Sequence, residues 1–198
     1  MTPTPFAYPD PPLADAVVIL RPWRVGDAAC VEEGLNVARY DAARWIERQW
    51  RRTANGEGIS LAIAAASSDE AIGYAGLILR PRLELGTIGS VSWHGADGEL
   101  GLVFRPQVGA GIGYWVVERA RRRGLASHAV GLLARWALLD AGLERVEALL
   151  EPDNIGSRRV AERAGFQHEG CLRRCIELDG RHRDALVYSL VRDDVEVA

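Results

Sequence analysis

The stretch IGYWVVERARRRGLASHAVGLL, residues 112–133, decides how the rest of the chain is read. Its first six residues are largely apolar and suit a strand from Ile112 to Val117. Beyond Leu125 the apolar residues Ala126, Val130, Leu133 and Ala137 recur at spacings of three and four, which predicts a helix to about Asp140 with Gly142 as its stop. Arg121, Arg122 and Arg123 stand at the start of that helix. The first amides of a helix lack internal partners and carry the positive end of its dipole, so cations are disfavoured there unless an anion joins them. Gly124 and Ala126 leave room for a phosphate to approach the backbone, and guanidinium groups add charge. A pyrophosphate is the natural guest; a solvated charge run and a nucleic-acid contact are the alternatives. Neither a Walker loop nor the dinucleotide fingerprint is present, because Gly111-Ile112-Gly113 precedes the strand's apolar part instead of following it.

The totals restrict those alternatives. A length of 198 residues suits one domain, and 48% apolar with 26% charged residues is ordinary for a globular protein. A net charge of -3 disfavours a general nucleic-acid or membrane binder, so any basic function is local. The chain contains no lysine, so every strong cation is an arginine and no lysine acts as base or Schiff-base nucleophile. Cys171 and Cys175, four residues apart on one predicted strand, would have Cα atoms about 13 Å apart, beyond the roughly 7 Å a disulfide spans. With Cys30 they read as reduced thiols of a cytoplasmic protein. Residues 1–15 are proline-rich and read as a flexible tail, leaving 16–198 as a single domain with no membrane span.

Outward from the quoted stretch, the pattern alternates. A strand is predicted over Ala16–Arg24, stopped near Pro22, then a helix capped by Asp27 to about Val37, and a second helix from Asp41 to Asn55-Gly56. Ile59–Ser67 and the run AIGYAGLILR form a hairpin, and residues 81–110 read as further strand and turn. Downstream come a strand over Glu144–Glu151, a short helix capped by Asn154 and closed by Gly165 with Phe166, and a final hairpin turning at Asp179-Gly180. Strand–helix–helix–strands–helix–strand–helix–hairpin is an α/β pattern with a mixed sheet.

The run Arg121-x-x-Gly124-x-Ala126 after a strand resembles motif A of the GNAT superfamily of acyl-CoA-dependent N-acetyltransferases. IGYWV, EPDNIGSRRVAERAGFQHEG, DGRHRDALVYSLVRDD and LRPWRVGDA are similar to the RimJ/RimL branch, which includes ribosomal-protein alanine N-acetyltransferases, across residues 16 to 194. The resemblance implies a GNAT fold, a mostly antiparallel sheet with one splayed parallel pair that holds acetyl-CoA. By that resemblance, the backbone of Trp115, Val116 and Val117 contacts the pantetheine amides, and an amide near Val116 or Val117 polarises the thioester carbonyl. The amides of Arg121, Arg122, Arg123, Gly124, Leu125, Ala126 and Ser127 cradle the pyrophosphate. Asn154 touches the pantetheine arm or simply caps its helix, Arg158 or Arg159 reaches a phosphate, and Ser157 protonates the leaving thiolate, with Tyr188 as a second candidate. The acceptor is a protein N-terminus or a small amine, no metal takes part, and relatives often dimerise.

The general base is where the resemblance departs from the family pattern. Relatives carry Glu before the IGYW run, and Gly111 stands there. Glu99, Glu118, Glu177 and His94 are the remaining candidates. The same Gly111 keeps open a different class, a non-catalytic acyl-CoA-binding sensor. Trp23, Trp45, Trp50, Tyr40 and Trp93 are candidates for the acceptor pocket or for the core.

Overall fold

The computed structural model describes residues 7–79, 109–178 and 180–196. Glu99, His94, Trp93 and most of the expected hairpin over 81–110 lie outside the described residues. Among the described residues, eight strands form one sheet in the order β1-β2-β3-β4-β5-β6-β8-β7. They are β1 (Leu13–Ala14), β2 (Val18–Pro22), β3 (Gly58–Ala65), β4 (Ala71–Leu79), β5 (Gly109–Val116), β6 (Arg145–Leu150), β7 (Gln167–Leu178) and β8 (Arg181–Val191). Five helices join them: α1 (Ala28–Leu35), α2 (Arg39–Ala54), α3 (Leu125–Leu139), α4 (Ile155–Arg163) and α5 (Arg192–Glu196). All neighbouring strands are antiparallel except β5 and β6, which run parallel. The mixed α/β sheet expected from the sequence is therefore present. No helix among the described residues is long and apolar enough to cross a membrane.

Several boundaries move. Leu13 and Ala14, expected in the tail, pair with Leu20 and Ile19 as an edge strand. The first long strand starts at Val18, two residues later than expected, and stops at Pro22 as expected, while the second helix starts at Arg39, before Asp41. The β5 glycines are paired, Gly113 with β4, Gly109 with β6 and Gly111 with both, which offsets their weak strand propensity. β7 and β8 extend beyond the predicted hairpin on both arms.

α3 buries Ala129, Val130, Leu133, Ala134, Ala137 and Leu138 on the stripe that the spacing predicted, against β2, β4, β5 and β6. α4 ends in a Schellman motif: Phe166 N–H donates to the Ala161 carbonyl at 3.0 Å, Gly165 N–H to Glu162 at 3.1 Å, and Gly165 has φ +92°. Phe166 is buried behind it. All three cysteines are free, and burial pushes the Cys30 thiol up to about 12.

Asp27 holds the N-cap position of α1 that the sequence assigned it, but its side chain makes no capping bond to the helix. It is 9% exposed and forms a two-pronged pair with Arg21, itself 3% exposed, at 2.8 and 3.0 Å. Arg21 Nε also donates to Asp69 Oδ1 at 2.7 Å, and Asp27 accepts the Arg24 amide at 2.8 Å. The Arg21 and Arg24 guanidinium groups hold the Asp69 carboxyl below its ordinary range. One buried arginine thus locks β2, the start of α1 and the β3–β4 turn together.

Candidate active site

The one parallel pairing in the sheet is short. β5 and β6 are in register only at Gly109–Arg145, Ala110–Val146 and Gly111–Glu147, although β5 continues to Val116 and β6 to Leu150. Past Gly111 the strands part, leaving about 17 Å of β5 edge without a strand partner at about 3.3 Å per residue. Val117 N–H donates to the Ile72 carbonyl of β4 at 2.9 Å. Backbone groups of an antiparallel strand alternate in direction, so those of Trp115 also turn toward β4, while those of Ile112, Tyr114 and Val116 turn into the gap. Of the expected Trp115–Val117 edge, only Val116 therefore faces the opening, and Tyr114 and Ile112 join it. Arg121 reaches back to that edge, its Nε donating to the Val116 carbonyl at 3.3 Å.

The chain then makes a 3-10 turn over Glu118–Ala120 and enters α3. Arg122 has φ +60° and Gly124, the residue before the helix, φ +79°. Arg121 N–H is used by the Glu118 carbonyl at 3.1 Å, and Ser127 N–H by the Gly124 carbonyl at 2.9 Å. Those two amides of the predicted cradle are internally bonded. The amides of Arg122, Arg123, Gly124, Leu125 and Ala126 donate to no acceptor among the described residues. Five adjacent unbonded N–H groups at a helix start, with three exposed guanidinium groups around them, form an anion site of the size a pyrophosphate needs.

Across the gap, Asn154 caps α4, its Oδ1 accepting the Ser157 amide at 3.0 Å. Tyr114, which sequence reasoning did not single out, spans the opening: its hydroxyl donates to the Ser157 carbonyl at 3.0 Å. Burial pushes that hydroxyl up to about 12, so it stays protonated and keeps donating. Ser157 is thereby fixed beside the strand edge. Arg158 donates to the Pro152 carbonyl at 3.5 Å, and its buried Nε has no partner among the described residues. Tyr188 is elsewhere. It is 2% exposed, its ring lies 5.1 Å from that of His168, and its hydroxyl donates to Glu162 at 3.1 Å, so it is a core residue.

The two faces of β5 differ. Tyr114 points to the α4 side, and alternation sets Trp115, Gly113, Gly111 and Gly109 on the opposite face. There Trp115 meets α1 and α2: its centroid lies 6.3 Å from Trp23, 6.4 Å from Trp45 and 6.2 Å from Tyr74. Gly34 of α1 lies so close that an added Cβ would fall 2.1 Å from the Trp115 ring. Trp23 Nε1 donates to Ser60 and Trp50 Nε1 to the Trp23 carbonyl. Trp23 is thus a core residue, whereas Trp45 and Trp115 are half-buried at its margin and Tyr40 is exposed. By contrast, Gly111 has no described atom within 4 Å of where its Cβ would stand.

On that same face, Glu147 is the cross-strand partner of Gly111. Arg145 Nε donates to Glu147 Oε1 at 2.7 Å, and the Arg145 fork also grips Glu169. Glu169 is the extra residue of a bulge between His168 and Gly170, which turns its carboxylate toward Arg145 and the Ser189 hydroxyl, the latter at 2.6 Å. Arg145, aided by Ser189, holds the Glu169 carboxyl down to about 2, against an ordinary 4.5. A depressed carboxyl contributes stability above its unfolded value and loses it as pH falls through the folded one. Acid titration is therefore expected to destabilise the wild type more than Glu169→Gln between about pH 5 and pH 2; equal curves in thermal melts would refute this. Of the earlier base candidates, Glu118 is exposed in the turn beyond β5. Glu177 pairs in register with His182 near the tip of the β7–β8 hairpin.

Residues 14–167 match the family model described as the acetyltransferase (GNAT) domain, and the chain belongs to that family. The Mycobacterium smegmatis RimJ structure in complex with CoA-disulfide has the same fold, at TM-score 0.69 and 24% identity over 91% of this chain and 84% of that one. The Bacillus subtilis protein described as "Probable N-acetyltransferase YjcK" is 36% identical over 85 residues, 43% of this chain and 47% of that protein. The Escherichia coli ribosomal-protein-serine acetyltransferase is 33% identical over 84 residues, 42% and 47% of the two. The matched part spans about half the length of each relative. The resemblance drawn from the motifs is thus met at the level of family and fold.

Proposed function

We propose that the protein transfers an acetyl group from acetyl-CoA to a primary amine, with a protein N-terminus as the favoured acceptor. The observation that carries this is the strand gap opening directly beside five unbonded amides, Arg122 to Ala126. The relative named as a ribosomal-protein-serine acetyltransferase favours a protein acceptor over a small amine. The pyrophosphate sits on those amides with Arg121–Arg123 at its rim. The pantetheine arm bonds the edge groups of Val116, Tyr114 and Ile112 as an added strand would. One gap-facing amide, Val116 or Tyr114, polarises the thioester carbonyl. Ser157, held by Asn154 and Tyr114, supplies a proton to the departing thiolate. An α-amino group, with a pKa near 8, is partly neutral at physiological pH and needs less help than a lysine amine.

A thiol-release assay across peptide N-termini and small amines tests the proposal. Turnover with at least one peptide N-terminus is expected. Tight CoA binding with no turnover for any amine would instead make the protein a sensor, and no CoA binding at all would remove both readings.

A further inference from the structure

We infer that a cavity along α2 is a subsite for acidic side chains of the acceptor, so that the enzyme prefers protein N-termini carrying Asp or Glu at about the third to fifth residue. This subsite presupposes the acetyl transfer proposed above. Trp45, Arg48, Gln49 and Arg52 recur at spacings of three and four on α2, and with Arg51 and the turn residue Glu57 they line an open cavity of about 450 Å³. α2 carries five arginines against Asp41 and Glu47, a net +3 in a chain of net -3. Counter-charge at the cavity is weak. Arg51 meets Glu47, and Arg52 meets Glu57, only at 4.0 Å, and the exposed Arg48 has no acidic partner among the described residues. Like charges three and four residues apart on a helix repel. The helix dipole offsets this for Arg51 and Arg52 in the last turn, but it fades before Arg48. Carboxylates match such a cluster, since each guanidinium fork can grip one with two hydrogen bonds. The residues between β4 and β5 carry three arginines and three acids, so the chain's own connection brings no surplus of negative charge.

The cavity lies on the approach to the strand gap. At one end Trp45 stands 5.7 Å from Tyr74 and 6.4 Å from Trp115. The Tyr74 ring is 3.7 Å from where a Gly113 Cβ would stand, and the Arg52 charge opposes the upward push that burial gives the Tyr74 hydroxyl. Beyond Gly113 this face of β5 is bare at Gly111, and the β4 partner of Gly111, Ile78, is half exposed. Ile78 pairs in turn with Gly58, so the turn at Glu57 is level with Gly111 and two strands away, about 10 Å. An acceptor whose amine reaches the gap over the glycines has its next residues above Ile78. At about 3.3 Å per extended residue, the third to fifth of them reach the arginines.

The test uses the full chain, acetyl-CoA and peptides that share their first two residues but carry acids, amides or arginines at residues three to five. The acidic peptide is expected to give a kcat/KM about tenfold above the amide peptide at low salt, with the arginine peptide below both. The preference sits in KM, because these contacts are made in the ground and transition states alike, and it shrinks as salt is added. Arg48→Glu is expected to reverse the order of the acidic and arginine peptides. Arg44→Glu, on the same helix but outside the cavity where Arg44 lies over the Tyr40 ring, keeps the wild-type order. Equal rates for the three peptides overturn the inference while leaving acetyl transfer intact. So does a reversal produced equally by Arg44→Glu, or competition by a short RNA where the acidic peptide does not compete. A wild type that turns over no amine removes acetyl transfer itself. Should Arg48→Glu fail to fold, the wild type decides with the acids moved out of reach, to about residue ten: a preference that survives the move overturns the inference.

Discussion

Asp27→Ala is expected to destabilise the protein by about 3–5 kcal/mol, the cost of leaving one member of a buried ion pair without its partner. Arg21 is 3% exposed and directs two of its nitrogens at the Asp27 carboxylate. Without Asp27 the cation keeps only Asp69, which is far more open to water, and the Pro22 carbonyl. The Arg24 amide loses its acceptor as well. Burial itself is costly for both ions, so removing the pair together should cost less than removing one side. Arg21→Met with Asp27→Leu is therefore expected to lose less than Asp27→Ala alone. Denaturant melts of the three proteins check this, and a double variant as unstable as the single one would show that the network matters only for its shape.

Gly124→Val is expected to lower CoA affinity by at least about 100-fold, or about 2.7 kcal/mol, while the chain still folds. Space is not the reason, since the nearest described atom to an added Cβ is His128 Cδ2 at 3.9 Å. The backbone is. Gly124 holds φ +79°, where a β-branched residue is strained by roughly 1–3 kcal/mol. Relaxing that strain swings the Gly124 and Leu125 amides out of the cradle. Gly124→Ala, with a smaller left-handed penalty, falls between the two proteins. Calorimetric titration with CoA measures the series, and undiminished affinity in the valine variant would locate the phosphates elsewhere.

Much of this was legible in the sequence because the signals were local. The α3 stripe, the Asn154 cap and the Gly165–Phe166 ending depend on residues within a turn or two of one another, and each is found. Asp27 holds the cap position the sequence assigned it, but its side chain turns to Arg21 on the preceding strand, a partner that local spacing does not reveal. The direction of each amide on β5 could not be read either, since it depends on the register with β4. One step of that alternation separates Val116, which faces the gap, from Val117, which does not. The relation of Glu147 to Gly111 was invisible for the same reason: it exists only across a parallel ladder between strands separated by α3.

Among the described residues that ladder is three residue pairs long, and it is the only strand pairing there that joins β1–β5 to β6–β8. Proteins usually hide sheet edges at the periphery, but here an edge runs through the middle of the sheet. The molecule is, in this sense, two half-sheets sharing a seam that stays unsewn beyond Gly111. A ligand bonding to Tyr114 and Val116 would act as the absent strand, so occupancy and mechanical continuity of the sheet become one property. Whatever binds in the seam stiffens the fold across its weakest line.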